Sequence, residues 1–256
     1  MKTLRIAFYG KGGIGKSTVA SNCAAAFAAS GLKVMQIGCD PKADSTLSLR
    51  NGEPMPSVLD LIRTRQDNFT LDDMVCIGRD GVICVEAGGP EPGVGCAGRG
   101  IIAALEKLQQ KGAYERFRPD VILYDVLGDV VCGGFSMPMR GGYADKVCIV
   151  TSGENMSIYA AANIAMATDR FKGRGYASLG GFILNARNVP DEENKVRQLA
   201  KDFNTSILGF IGRSPEILQA EDLHEPVIRA FPDSPAAQQF RQLAETLLRQ
   251  TEEAAC

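Results

Sequence analysis

Gly10-Lys11-Gly12-Gly13-Ile14-Gly15-Lys16-Ser17-Thr18 follows the apolar run Leu4-Arg5-Ile6-Ala7-Phe8-Tyr9 without a break. A strand that runs straight into a glycine loop ending in Lys-Ser is the pattern of a phosphate-binding loop. Glycines let backbone N–H groups turn inward around a triphosphate, Lys16 neutralises its outer oxygens, and the Ser17 hydroxyl is placed to ligate Mg²⁺. Thr18 is read as carrying the chain into a helix. The pattern predicts an ATP or GTP site, and the strand in front of it argues against a plain glycine-rich surface turn.

Outward from this loop, short apolar segments alternate with helical stretches. Strands are predicted at 33–37, 82–85, 121–124, 147–150, 182–184 and 207–210, and helices at 18–30, 99–111, 157–171, 192–203 and 214–223. Continuous apolar strands of this kind are covered on both faces. Ser234 and Pro235 mark the start of a last helix that runs to about residue 251. The alternation predicts one α/β domain over 1–256, with a mostly parallel, doubly wound sheet that binds ligand beyond the carboxyl ends of its strands.

Composition agrees. The 256 residues are 45% hydrophobic and 23% charged with a net charge of −2, which supports a large core and gives no general electrostatic attraction to nucleic acid or anionic lipid. No apolar run approaches a membrane span, and the N-terminus reads as a strand and not as a signal peptide, so a cytoplasmic protein is expected. In that setting the eight cysteines are reduced thiols or metal ligands.

Three carboxylates follow predicted strands. In Gly38-Cys39-Asp40-Pro41-Lys42-Ala43-Asp44-Ser45-Thr46, Asp40 and Asp44 suit a Mg²⁺-sensing loop; an Asp-Pro turn followed by an Asp/Ser helix cap accounts for them equally well. Asp125, after 121–124, can hold a Mg²⁺-bound water opposite Ser17. Asp129, behind the flexible Gly128, can orient an attacking water while Gly128 donates its N–H; the alternative is a helix N-cap. The single histidine, His224, sits among Glu221, Asp222 and Glu225 and reads as a surface helix end, and Glu192 and Glu193 read as helix-start charges.

Cys96 and Cys132 stand apart because glycine and alanine surround them, leaving room for an inorganic cluster. Cys23, Cys76 and Cys148 read as small core residues, while Cys39, Cys84 and Cys256 stay undecided. A cubane takes about four thiolates. Two chains would supply them, which points to one [4Fe–4S] cluster on the two-fold axis of a homodimer; buried free thiols are the alternative. Phe135 and Met137 to Met139 then either shield the cluster, touch a partner or pack in the core.

The early Lys11, the 38–46 segment, the loop from Gly88-Gly89-Pro90 to Gly100 and the 125–134 segment together resemble the nitrogenase iron protein family, over most of residues 1 to 225. The resemblance implies an ATP-hydrolysing oxidoreductase component. It would be a homodimer that binds two MgATP, holds a [4Fe–4S] cluster between subunits, takes electrons from ferredoxin or flavodoxin and passes them singly to a catalytic partner. By resemblance Cys96 and Cys132 match the cluster ligands and Lys11 the lysine that reaches phosphates across the dimer. Lys16 and Ser17 match the phosphate and Mg²⁺ contacts within the Gly10, Gly12, Gly13, Ile14, Gly15 and Thr18 loop. Asp40 and Asp44 match a first switch, Asp125 and Asp129 a second, Asn185 a residue near base and ribose, and Arg99 an arginine that contacts the partner and in some members is ADP-ribosylated.

Two departures bear on the partner: a short tail after the last helix, and a 211–219 segment that follows the family's base-binding stretch only loosely. They lean toward a nitrogenase-like partner, such as a methylthio-alkane or tetrapyrrole reductase, beside nitrogenase itself. Rival readings are a partitioning-type ATPase, which needs a basic surface or tail where this tail is acidic, and an iron–sulfur assembly scaffold, which usually carries a C-terminal Cys-x-x-Cys absent from this chain.

Overall fold

β1 (Leu4–Tyr9) leads through the glycine loop into α1 (Lys16–Ala29), and β2 (Val34–Cys39) follows. Next come α2 (Val58–Arg65), α3 (Leu71–Met74), β3 (Cys76–Ile77), β4 (Ile83–Glu86), α4 (Ala97–Gln110), α5 (Ala113–Phe117) and β5 (Val121–Val126). The chain continues through β6 (Lys146–Thr151), α6 (Asn155–Arg170), β7 (Ser178–Asn185), α7 (Glu192–Asp202), β8 (Ile207–Ile211), α8 (Pro215–Asp222), α9 (Val227–Ala230) and α10 (Pro235–Glu252). The computed structural model describes residues 3–89, 97–128, 138–139, 142–170 and 176–252. Cys96, Asp129, Cys132, Phe135, Met137 and Cys256 lie outside them, as does the side chain of Arg99.

The strands form one sheet in the order β3-β4-β2-β5-β1-β6-β7-β8. Every pairing is parallel except the short β3 against β4. Alternation along β1 shows why it is wound on both faces. Ile6 and Phe8 join a core with Val19 and Phe27 of α1 and Phe240 of α10, whereas Ala7 and Tyr9 join a second core with Leu105 of α4, Ile164 of α6 and Val196 of α7.

The α/β doubly wound expectation holds. Two boundaries differ in ways that matter for the site. α1 begins at Lys16 and not at Thr18, because the left-handed Gly15 (φ 96°) turns the chain directly into the helix. β5 runs on through Asp125, because β1 and β2 pair with it on both sides at that residue. The short β3, α2, α3, α5 and α9 are too brief to have shown a period. Ser234 caps α10 as expected, its hydroxyl accepting the Ala237 amide at 3.1 Å.

Leu123 lies at the centre of β5, fully buried, in register with Ile6 on one side and Gln36 on the other. Leu123→Ala leaves a cavity between the sheet and α1, among packed side chains that close on it only in part, so urea unfolding is expected to show a loss of about 2–5 kcal/mol.

Candidate active site

The carboxyl ends of β1, β2, β5 and β7 converge on a cavity of about 450 Å³. Its floor is the glycine loop, whose shape is set from outside. Asn185, the last residue of β7, donates to the Ile14 carbonyl at 2.7 Å; Arg187 donates to the Gly13 carbonyl at 2.8 Å. The Lys16 ammonium turns back to the Lys11 carbonyl at 3.3 Å. With these carbonyls tied down, Gly12, Gly13 and Gly15 line the cavity at the N-terminus of α1. Gly10, at φ 148°, passes so close to β6 that a Cβ would lie 2.2 Å from the Val150 carbonyl oxygen.

One side of the cavity is acidic. Asp125 is buried and accepts hydrogen bonds from Ser17 and, at 2.7 Å, from the Ser45 hydroxyl. Burial raises its pKa above the usual carboxylate value, while Ser17, Ser45 and the Lys16 charge pull against that rise. Asp40 and Asp44 line the same side. Asp40 also accepts the Lys42 amide at 2.9 Å, so the Asp-Pro turn and the cavity-facing reading are both realised in one residue.

The other side is less polar: Ile217, Leu218, the buried Phe240, Arg213 and Asn185. Thr18, on α1, donates to Glu221 on α8 at 2.9 Å. Lys11 is half-buried and does not line the cavity. The cavity volume, the glycine cradle and the Ser17–Asp125 pair fit a magnesium nucleotide.

Sequence reasoning brought Gly12, Gly13, Gly15, Lys16, Ser17, Thr18, Asp40, Asp44, Asp125 and Asn185 to this cavity. It missed Arg187, Glu221 and Phe240. Arg187 stands two residues after Asn185 and could have been found there; Phe240 arrives on a helix whose apolar period reads only as core. His224 is exposed at the end of α8, as expected. Glu192 does more than begin α7, since its carboxylate accepts the Arg187 and Asn188 amides, both at 3.0 Å. Cys39 and Cys84, undecided from sequence, are buried with Cys23 and Cys148, and Cys76 is half-buried against the core. Met139 packs in the core, fully buried.

The family model of 4Fe-4S iron sulfur cluster binding proteins, NifH/frxC family, matches residues 4–255. The chain belongs to this family. It is 53% identical over 251 residues to the nitrogenase iron protein of Methanospirillum hungatei, covering 97% of this chain and 89% of that protein. It is 49% identical to nitrogenase iron protein 2 of Methanothermobacter thermautotrophicus (97% and 91% covered) and 46% identical to nitrogenase iron protein 2 of Paenibacillus durus (98% and 86%). The fold alone is shared more widely. The septum site-determining protein MinD of Pyrococcus horikoshii, complexed with Mg-ADP, superposes with a TM-score of 0.73 at 21% identity, covering 99% of this chain and 97% of that one. A ParA family ATPase of Chlorobium tepidum gives 0.72 at 18% identity, with 96% and 99% covered. No helix among the described residues is long and apolar enough to cross a membrane.

In this NifH/frxC chain the loop depends on Gly15 for a specific reason. A Cβ there would meet Asn185 Nδ2 at 2.5 Å and would also strain a left-handed backbone. Gly15→Ala is therefore expected to lower stability by about 1–3 kcal/mol in thermal unfolding. Adding Asn185→Ala should recover the part due to the collision, so that the two changes are non-additive in a double-mutant cycle.

Proposed function

We propose that the chain is the ATP-dependent electron-transfer reductase of a nitrogenase or nitrogenase-like enzyme, acting as a homodimer that takes electrons from ferredoxin or flavodoxin. The observation that supports this most directly is the hydrogen bond from Ser17 to the buried Asp125: it sits at the acidic side of the cavity, and only the short 126–131 stretch separates Asp125 from Cys132. A site that handles magnesium and γ-phosphate and a cysteine suited to a cluster thus share one segment.

On this reading the 10–18 loop cradles the phosphates, Lys16 neutralises their charge, and Ser17 ligates Mg²⁺ with Asp125 fixing its hydroxyl. Asp40 and Asp44 sense the ion and the γ-phosphate from the second loop. Lys11, which does not line its own chain's cavity, reaches the nucleotide of the partner subunit. Asp129 orients the water that attacks the γ-phosphorus, the bond to the β-phosphate oxygen breaks, and ADP and phosphate leave. Asn185 and its neighbours hold base and ribose.

The cysteine inventory supports the cluster assignment. Cys23, Cys39, Cys84 and Cys148 are sealed in the core, where burial pushes their thiols up and keeps them protonated. Among the described residues no group of three His, Cys, Asp or Glu side chains could hold a metal ion. Cys96 and Cys132 instead follow β4 and β5, which flank β2 and leave the sheet by the same edge. When bound between two chains, a [4Fe–4S] cluster supplies a one-electron carrier. Arg99, at the start of α4, stands three residues beyond Cys96, where it would meet the catalytic partner.

Protein purified without oxygen is expected to be brown, with about four irons per two chains, and to lose them in Cys96→Ala and in Cys132→Ala. Asp129→Glu should keep MgATP binding while slowing turnover with a nitrogenase catalytic component. A colourless, iron-free ATPase would instead favour the partitioning-type reading, and about four irons per single chain would contradict the shared cluster.

A further inference from the structure

Glu86, the last residue of β4, has no part in the reading above. It is buried at the carboxyl edge of the sheet, in one cross-strand row with Gly38 of β2 and Asp125 of β5. One carboxylate oxygen, Oε1, accepts both the Thr46 amide at 2.7 Å and the Thr46 hydroxyl at 2.5 Å. The other, Oε2, is buried with no hydrogen-bond partner among the described residues.

Space for this carboxylate exists because residue 38 is glycine. A Cβ there would lie 2.0 Å from Glu86 Oε2 and 2.5 Å from Ser45 Cβ. Ser45 gives its hydroxyl to Asp125. The Ser45-Thr46 dipeptide therefore bridges two buried carboxylates, one on each strand flanking β2. It also ends the 40–45 loop, which brings Asp40 and Asp44 to the nucleotide cavity.

The charged and titratable groups around Glu86 are Arg50 from the 47–50 turn, Asp125 from β5, the Cys39 thiol from β2 and the Cys84 thiol from β4. Arg50 connects through Thr46, donating from Nε to the threonine hydroxyl at 3.1 Å. Both Thr46 groups act as donors to Glu86, so they bind an ionised carboxylate more strongly than a protonated one.

We propose that Glu86 is a positioning residue of the nucleotide site: its ionised carboxylate fixes Thr46, and with it the loop carrying Asp40 and Asp44, so that binding a magnesium nucleotide expels a proton from Glu86 to solvent. The inference rests on the nucleotide reading given above. Its direction follows from linkage. A ligand that requires the fixed loop favours the ionised carboxyl, and by reciprocity the ionised carboxyl favours the ligand. Burial pushes Glu86 up to about 7, against the pull of Thr46 and Arg50 and with a further push from Asp125. The protonated form is thus well populated near neutrality, and affinity rises as pH passes through that value.

The experiment is isothermal titration of the full-length protein with MgADP, whose hydrolysis cannot intervene, from about pH 6 to about pH 8 and in two buffers of different ionisation enthalpy. The wild type is expected to bind several-fold more tightly at the upper end and, near neutrality, to release a fraction of a proton more per site than Glu86→Gln does. Glu86→Gln should bind with a nearly flat pH profile. Thr46→Val removes one donor and should move the midpoint of the wild-type profile to higher pH, a shift that a purely structural role for Glu86 would not produce; it also serves if Glu86→Gln fails to fold. Identical profiles and proton counts in wild type and variants would overturn the inference while leaving the nucleotide reading intact. Failure of the wild type to bind MgADP at any pH would remove that reading and the inference with it.

Discussion

The site depends on a carboxylate taken out of water. Asp125 lies inside β5, with β1 pairing it through Phe8 and β2 through Gly38, so its backbone cannot retreat from the core. Removing a charge from solvent is costly unless donors replace the water, and here Ser17 from the phosphate loop and Ser45 from the second loop do so. Each loop is thereby held by the same acid. The catalytic geometry is a consequence of satisfying a buried charge, and the two loops answer to one another through it.

The same physics recurs one strand over. Glu86 and Asp125 occupy one row and point to the α1 face of the sheet, the side on which Gln36 reaches Ser21 of α1 and Ser45 at 3.1 Å each. Side chains of Gln36, Arg50 and Glu86 each retain one buried polar atom without a partner among the described residues. A core built only for stability would have placed apolar groups there.

What the sequence discloses is what lies close together along the chain. The phosphate loop, Asp40 with Asp44, and Asp125 each carry their signal within a few residues of a strand, and all reach the cavity. Asn185 was legible only through resemblance, since a lone asparagine after an apolar run has no chemistry of its own. Glu86 had a readable signal: Val82-Ile83-Cys84-Val85-Glu86 repeats the pattern of Val121-Ile122-Leu123-Tyr124-Asp125, an acid closing an apolar strand. Its meaning, however, needed the register that sets both acids against Gly38. Phe240 and Arg187 depend on which helix and strand end meet the glycine loop, a property of the sheet order and not of any local run. The burial of Cys39 and Cys84 is tertiary in the same sense.

Chains of about a fifth identity share this sheet, so the fold cannot be what distinguishes an iron–sulfur protein from a MinD-type ATPase. The difference must lie in what is attached to the strands. Here β2 pairs with β4 on one side and β5 on the other along most of its length, and at Gly38 it faces both acids in one row. The roots of the two cysteine-bearing segments, at Glu86 and Val126, cannot shift relative to each other without breaking a parallel ladder in a closely packed core. Pro41 adds a contact on the outside of that ladder, so close to Gly89 that a Cβ there would meet it at 2.3 Å. The 40–46 loop stands outside this ladder and is tied to it through Ser45 on Asp125 and Thr46 on Glu86.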